Sequence, residues 1–236
     1  PNGILKADWQ GKRLLVTSGP TIESLDPARV ITNRSSGRMG VLLAQVARFK
    51  GAQVDLIHGP LQLPQSWLEG LSSHPVNDSI EMQKRLEQLQ PYADAVAMAA
   101  AVADLRKIGG SNSEKISKQD LLTSMGNSFE AVPDLLAEIV TRRLLGQIIL
   151  GFAALTGDDA KIEQLGKEKR LRKGCDLLMA NPIDRAGQGF EENTNSGILL
   201  GPNGMVKAIP LTSKLALAHQ LLDAISALKP NISQNN

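Results

Sequence analysis

Ser18-Gly19-Pro20-Thr21, followed by Asn33-Arg34-Ser35-Ser36-Gly37-Arg38-Met39-Gly40, is the stretch on which the fold turns. An apolar, β-prone run, Arg13–Thr17, precedes it, and Met39–Phe49, with apolar residues at helical spacing, follows. A buried strand that passes through serine and glycine into a helix is the opening unit of a sheet with crossover helices. The same alternation continues outward from it. β-prone runs at Gln53–His58, Ala93–Ala99, Gln147–Phe152 and Asp176–Ala180 alternate with helical patterns at Ile80–Gln90, Pro133–Arg143, Asp158–Lys173 and Ser213–Leu228. Ser196–Leu200 and Met205–Ile209 flank Gly201-Pro202-Asn203-Gly204, which predicts an antiparallel hairpin. The expectation is an α/β chain in three layers, α/β/α, with a mixed central sheet.

Two connections exceed the roughly 2–6 residues usual between a strand and a helix. One is the segment after Arg13–Thr17, read as a binding loop; the other, Leu105 to Val132, carries Gly109-Gly110-Ser111-Asn112-Ser113 and several lysines and is read as a lid. The 236 residues, 42% of them apolar, suffice for one large domain spanning residues 1–236, with 229–236 expected to fray. No apolar run reaches the roughly 20 residues of a membrane span, and no signal segment opens the chain. A lone cysteine, Cys175, fits a reducing, cytoplasmic setting and a buried apolar role. A net charge of +2 with 3% aromatics does not suit nucleic acid, and small anions are the better partners. The opening Pro1-Asn2-Gly3, without methionine, suggests a piece of something longer.

Free amides at a helix start favour anions, and glycines allow close backbone approach, so the first loop reads as a phosphate cradle. An ordinary serine cap is the commoner use of such residues, and Arg29, Arg34 and Arg38 shift the balance toward phosphate. Small residues at Met98-Ala99-Ala100-Ala101-Val102-Ala103 would let a flat ligand lie against a strand end beside Asp104, and tight packing under a helix explains them equally well. Lys169 and Lys173 share one helix face, either gripping phosphates or forming a solvated basic surface. His58, His74 and His219 show no metal-ligand spacing, so no protein-held metal is expected.

Ser18-Gly19-Pro20-Thr21, Asp26-Pro27-Ala28-Arg29, Asn33 to Gly40, Ala100-Ala101-Val102-Ala103-Asp104, Lys115-Ile116-Ser117-Lys118, Gly151-Phe152-Ala153-Ala154 and Lys169-Arg170-Leu171-Arg172-Lys173 stand in an order and spacing that resembles the bacterial phosphopantothenate–cysteine ligase family over nearly the whole chain. The resemblance implies a dimeric fold with Rossmann-like and ribokinase-like features. It implies ligation of 4′-phosphopantothenate to L-cysteine through an acyl-cytidylate, with CTP consumed, Mg²⁺ brought in by the nucleotide, and CMP and pyrophosphate released. In bacteria this activity is commonly fused to a flavin-dependent decarboxylase.

Position by position, the resemblance assigns Asn33 to the acyl intermediate and Lys115 to closure over the triphosphate. It assigns Met98, Ala99, Ala100, Asp104, Pro133, Asp134, Leu135, Leu136, Phe152, Lys169 and Lys173 to the nucleotide. Arg29, Ser35, Ser36, Gly37 and Ala101 fall to phosphopantothenate, Arg29 near a partner subunit. The chain departs from the family pattern at Leu155, where glutamate is usual, at Leu105, usually aromatic, and at Val132, usually asparagine. Two other functions fit the alternating architecture: a non-catalytic nucleotide sensor, and a nicotinamide-dependent reductase, which would need an acidic residue where the second strand ends in His58.

Overall fold

The computed structural model describes residues 8–124 and 126–228. In chain order they form β1 (Arg13–Ser18), β2 (Ile22–Asp26), β3 (Arg29–Thr32), α1 (Arg38–Phe49), β4 (Gln53–His58), β5 (Ser72–Pro75), α2 (Ser79–Leu89), β6 (Ala95–Met98), β7 (Leu105–Lys107), α3 (Lys118–Ser124), β8 (Phe129–Ala131), α4 (Leu135–Thr141), β9 (Ile148–Leu155), α5 (Asp159–Lys173), β10 (Leu177–Pro182), β11 (Thr194–Leu200), β12 (Val206–Ser213) and α6 (Lys214–Ala227). The expected ends of the chain, Pro1-Asn2-Gly3 and 229–236, lie outside the described residues.

Eight strands form one sheet in the order β12-β11-β10-β9-β6-β1-β4-β5. The strands from β5 across to β10 run parallel, and β11 and β12 add an antiparallel edge. After β1 the chain builds outward through β4 and β5, then returns to lay β6 on the other side of β1. That reversal opens a crevice at the carboxyl ends of β1 and β6, where doubly wound sheets bind ligands.

The helices fall on both faces. Val41, Leu43 and Val46 of α1 pack with Leu217, Leu221 and Ile225 of α6 on one face, against Val16, Leu56 and Met179 of the sheet. On the other, Met82 and Leu86 of α2, Ile139 of α4 and Ile162 of α5 cover Leu15, Val96, Ile149 and Leu178. Buried on both faces, the central strands read as continuous apolar runs instead of alternating ones, as in β10, every residue of which is buried. Cys175 is buried as expected, and burial pushes its thiol up to about 11.

Helix starts follow cap chemistry. The side chains of Asp78, Asp158 and Ser213 accept from Glu81 N, Lys161 N and Ala216 N. Asp134 does the same for Ala137 N, so α4 begins at Leu135, two residues later than the apolar periodicity suggests. At the opposite end of the sheet from the crevice, Gln147 Nε2 donates to the carbonyls of Gln90 (2.9 Å) and Ala93 (2.7 Å). Gln90 Nε2 in turn donates to Ile139 O (2.7 Å) and to Gln147 Oε1 (3.0 Å), both glutamines being buried.

The two long connections carry more structure than their sequences suggest. The first folds as the β2–β3 hairpin, tied to the sheet through Thr21 N to Ala101 O (3.3 Å) and Ile22 N to Asn77 O (2.8 Å). The second is bounded by the antiparallel pair β7–β8 and contains α3. β5, Ser-Ser-His-Pro, is a short polar edge strand with no apolar signal in its sequence.

Candidate functional site

A cleft of about 660 Å³ opens where the chain reverses, and most of the expected residues meet in it. Its floor is the end of β6 and the segment after it, Met98 to Asp104. Thr17 Oγ1 accepts from Ala100 N (3.1 Å) and Thr21 Oγ1 from Ala103 N (3.0 Å), which holds this small-residue segment against β1.

One side is the start of α1. Ser18 Oγ donates to Gly37 O (2.6 Å), pinning the turn that launches the helix. Gly37 has φ of 79°, and a Cβ at Gly40 would sit 2.6 Å from the Ser18 side chain and 2.9 Å from Thr17 O. Helix and strand therefore approach as closely as they do because both positions are glycine. Gly37 caps α1 without a side-chain bond, and no acidic residue occupies the first turn, so this helix start is electropositive. Ser35 and Gly37 line the cleft; Ser36 does not, because its hydroxyl donates to Phe190 O (3.1 Å).

The facing side is made by Val132 to Leu136, Phe152, Lys169 and Lys173. Lys173 is ion-paired with Asp134, and Leu135 turns its side chain into the core. Both Lys169 and Lys173 border the cleft. Leu155 packs beside the apolar cluster under α5.

Asn33 enters from the end of β3. Its Nδ2 donates to Ala101 O (3.1 Å) and Val102 O (3.0 Å), fastening the hairpin to the floor. Arg29 and Lys115 lie away from the cleft. Arg29 is paired with buried Asp26 and donates to Ile116 O, while Ile116 N donates to Asp26 Oδ2 (3.2 Å). The guanidinium beside Asp26, aided by amides of Ala28 and Ile116, holds its carboxyl at about 2. This clasp fixes the segment next to Lys115, whose side chain is exposed.

Asn181, Phe190, Asn195 and Lys214 are among the lining residues that were not expected. Lys214 is the first residue of α6, where a cation opposes the helix dipole. That placement was the signal in the sequence. Burial, reinforced by the charge of Arg38 and opposed by Glu192, draws its ammonium down to about 8. Among the described residues no group of three or more His, Cys, Asp or Glu comes together to hold a metal, and no helix is long and apolar enough to cross a membrane.

A doubly wound sheet with an anion-favouring helix start, a floor of small residues and cations on both sides of one crevice defines an α/β domain whose crevice suits an anionic ligand. The chain belongs to the DNA/pantothenate metabolism flavoprotein C-terminal domain family, whose model matches residues 9–228. It is similar to the coenzyme A biosynthesis bifunctional protein CoaBC of Vibrio cholerae, 37% identical over 91% of this chain and 52% of that protein. It is also similar to the Bacillus subtilis protein of the same description, 34% identical over 98% and 55%. The chain thus spans about half the length of the curated relatives it matches. Among solved structures, the C-terminal domain of a CoaBC protein superposes with a TM-score of 0.74 at 28% identity, covering 94% of this chain and 97% of that one. A Cab2 mutant in complex with phosphopantothenate-cysteine shares the fold, with a TM-score of 0.70 at 15% identity over 92% of this chain and 87% of that one.

Proposed function

We propose that this domain joins 4′-phosphopantothenate to L-cysteine at the expense of a nucleoside triphosphate, CTP, in coenzyme A biosynthesis. The observation that carries the reading is the convergence of Asn33, the bare start of α1 and the Lys169/Lys173 pair on one cleft. Family membership and the CoaBC relatives support it.

A carboxylate is a poor acyl donor until it is made into an anhydride. In the first step a carboxylate oxygen of phosphopantothenate attacks the α-phosphorus, and the bond to the β-phosphate breaks to release pyrophosphate. In the second, the cysteine amine attacks the acyl carbon, CMP leaves, and the amine gives up a proton. The protein's contribution is to align two anions, which can supply about 7–11 kcal/mol, and to neutralise their charge. Lys169, Lys173 and the amides at the start of α1 serve the phosphates, Met98 to Ala101 and Phe152 receive the base, and Asn33 contacts the acyl group. Lys115 would reach the triphosphate by movement of the segment that carries it. Magnesium enters with the nucleotide, held by phosphate oxygens and water, which suits a cleft bordered chiefly by cations.

The same reading makes the protein a cytoplasmic homodimer with Arg29 near the partner, acting beside a flavin-dependent decarboxylase in the longer protein. A nicotinamide reductase is disfavoured by His58 at the end of β4, which is bonded to Ser73 Oγ and Gly59 O where a ribose-binding carboxylate would be needed. The test is pyrophosphate release on mixing the protein with CTP, Mg²⁺ and 4′-phosphopantothenate, followed by amide formation when cysteine is added. Absence of both from folded protein overturns the ligase reading. Pyrophosphate binding without turnover would support the sensor instead.

A further inference from the structure

Among the described residues two lysines are almost completely buried, and they differ in one respect. Lys50, 5% exposed, is paired with Asp223 and Asp8. Among the described residues Lys214, 3% exposed, has no carboxylate in ion-pair contact: its ammonium donates to the carbonyls of Gly189 (2.7 Å) and Phe190 (3.2 Å), and Glu192 acts on it only through its charge. Two neutral acceptors leave the third N–H of the ammonium for the cleft that Lys214 lines. Holding two carbonyls requires no charge, and burying an uncompensated cation is costly. A lysine kept there is explained by an anion that arrives from outside.

A second cation faces the same space. Arg38 lines the cleft, stacks on Trp67 at 5.6 Å, and has a buried Nε with no hydrogen-bond partner. Among the described residues it too has no carboxylate partner. Arg38 is itself the first residue of α1, whose N-cap, Gly37, makes no side-chain bond, and Phe190 O accepts from both Lys214 Nζ and Ser36 Oγ, which ties Lys214 to the turn that launches the helix.

We propose that Lys214 is a substrate-contacting residue which, with Arg38 and the first amides of α1, binds a phosphate group of the substrates at this end of the cleft. The proposal rests on the ligase reading for the identity of the substrates, though not for the presence of the anion site. Gly37 N and Arg38 N donate to Ser35 Oγ (3.3 Å) and Ser36 Oγ (3.5 Å), so the amides of Met39 and Gly40, with the two cations, are the groups that suit a multiply charged ligand with several oxygens. The shared chemistry is phosphate, from the triphosphate chain of the nucleotide or from the terminal phosphate of phosphopantothenate.

Calorimetric titration of the whole protein with inorganic pyrophosphate, CTP and 4′-phosphopantothenate, for wild type, Lys214→Met and Lys214→Arg, tests it. The methionine variant should bind at least one of these about tenfold or more weakly, the cost of a lost charge-assisted bond. Its melting temperature should hold or rise, because a buried unpaired charge is removed, and arginine should restore part of the affinity. Weakening toward pyrophosphate and CTP assigns the nucleotide chain, and weakening toward phosphopantothenate alone assigns its phosphate. Unchanged affinity for all, no binding by wild type, or a loss that arginine does not relieve and that follows a fall in melting temperature would overturn the proposal. Binding that depends on Lys214 without amide formation would sink the ligase reading and leave this site standing.

Discussion

Asn33 Nδ2 lies 3.0 Å from Val102 O and 3.1 Å from Ala101 O, so one side-chain amide bonds the β2–β3 hairpin to the floor of the cleft. With its nitrogen committed to the backbone, Asn33 has its amide oxygen to offer a ligand. Asn33→Asp would set carboxylate oxygens against two carbonyls and beside an anionic intermediate. Amide formation should be abolished in a protein that still folds, with stability lowered by about 1–3 kcal/mol from the lost bonds. Denaturant titration and a cysteine-dependent product assay on the same sample check both parts; full activity would remove Asn33 from the chemistry.

Lys115→Gln should lose turnover with stability unchanged to within about 0.5 kcal/mol, because Lys115 is exposed in a polar segment. The neighbouring clasp of Asp26, Arg29 and Ile116 is untouched by the change. A large fall in melting temperature would mark Lys115 as structural.

Asp26 supplies a pH signature. Its folded value of about 2 lies below the ordinary 3.8, so its contribution to stability is complete above about pH 4 and is lost as pH falls toward 2. Asp26→Asn should be less stable than wild type at neutral pH, and the difference should shrink over that window. A difference constant from pH 7 to 2 would contradict the assignment.

CTP should be preferred to ATP. Backbone groups around Ala99 to Ala101 and at Phe152 to Ala154 can pair with one exocyclic pattern and leave the wrong one unsatisfied, and the smaller cytosine suits a pocket pressed against bare backbone. Equal CTP and ATP in one reaction, read as CMP against AMP, decides the matter; predominant AMP would overturn the preference without touching the ligase reading.

Gly40→Ala should destabilise the protein by about 1–3 kcal/mol despite alanine's better helix propensity, because the new Cβ would meet the Ser18 side chain at 2.6 Å and the Thr17 carbonyl at 2.9 Å. Lifting α1 off β1 should also weaken pyrophosphate binding. Unchanged stability would show that helix and strand part without cost.

The layered architecture was legible because the central strands are buried on both faces and therefore spell unbroken apolar runs, as at Leu14 to Val16 and Leu177 to Ala180. β5 and the β7–β8 pair escaped for the opposite reason: Ser72 to Pro75 and Leu105 to Lys107 are short, partly exposed and held by backbone pairing, which leaves little trace in composition. Asn33, Phe152 and Lys173, singled out in the sequence by the order of motifs, line the cleft. Asn181, Asn195 and Lys214 come from the carboxyl-terminal third, brought beside α1 only by the pairing of β10 with β11 and the docking of α6, a long-range consequence of topology. Arg29, read as lying near a partner subunit, and Lys115, read as closing over the triphosphate, both lie away from the cleft, with Arg29 held by Asp26 at the base of the segment that carries Lys115.

The paired glutamines below the sheet, Gln90 and Gln147, bear on fidelity of assembly. Each satisfies the other while also bonding a backbone carbonyl of a different segment, so a slip of one residue between the chain before β9 and the turn after α2 would strand several buried polar groups at once. Apolar side chains in their place would pack in many registers with similar energy. The pair thus penalises any register in which β9 is out of step with β6, and so favours the one in which the residues at the far ends of those strands stand opposite one another.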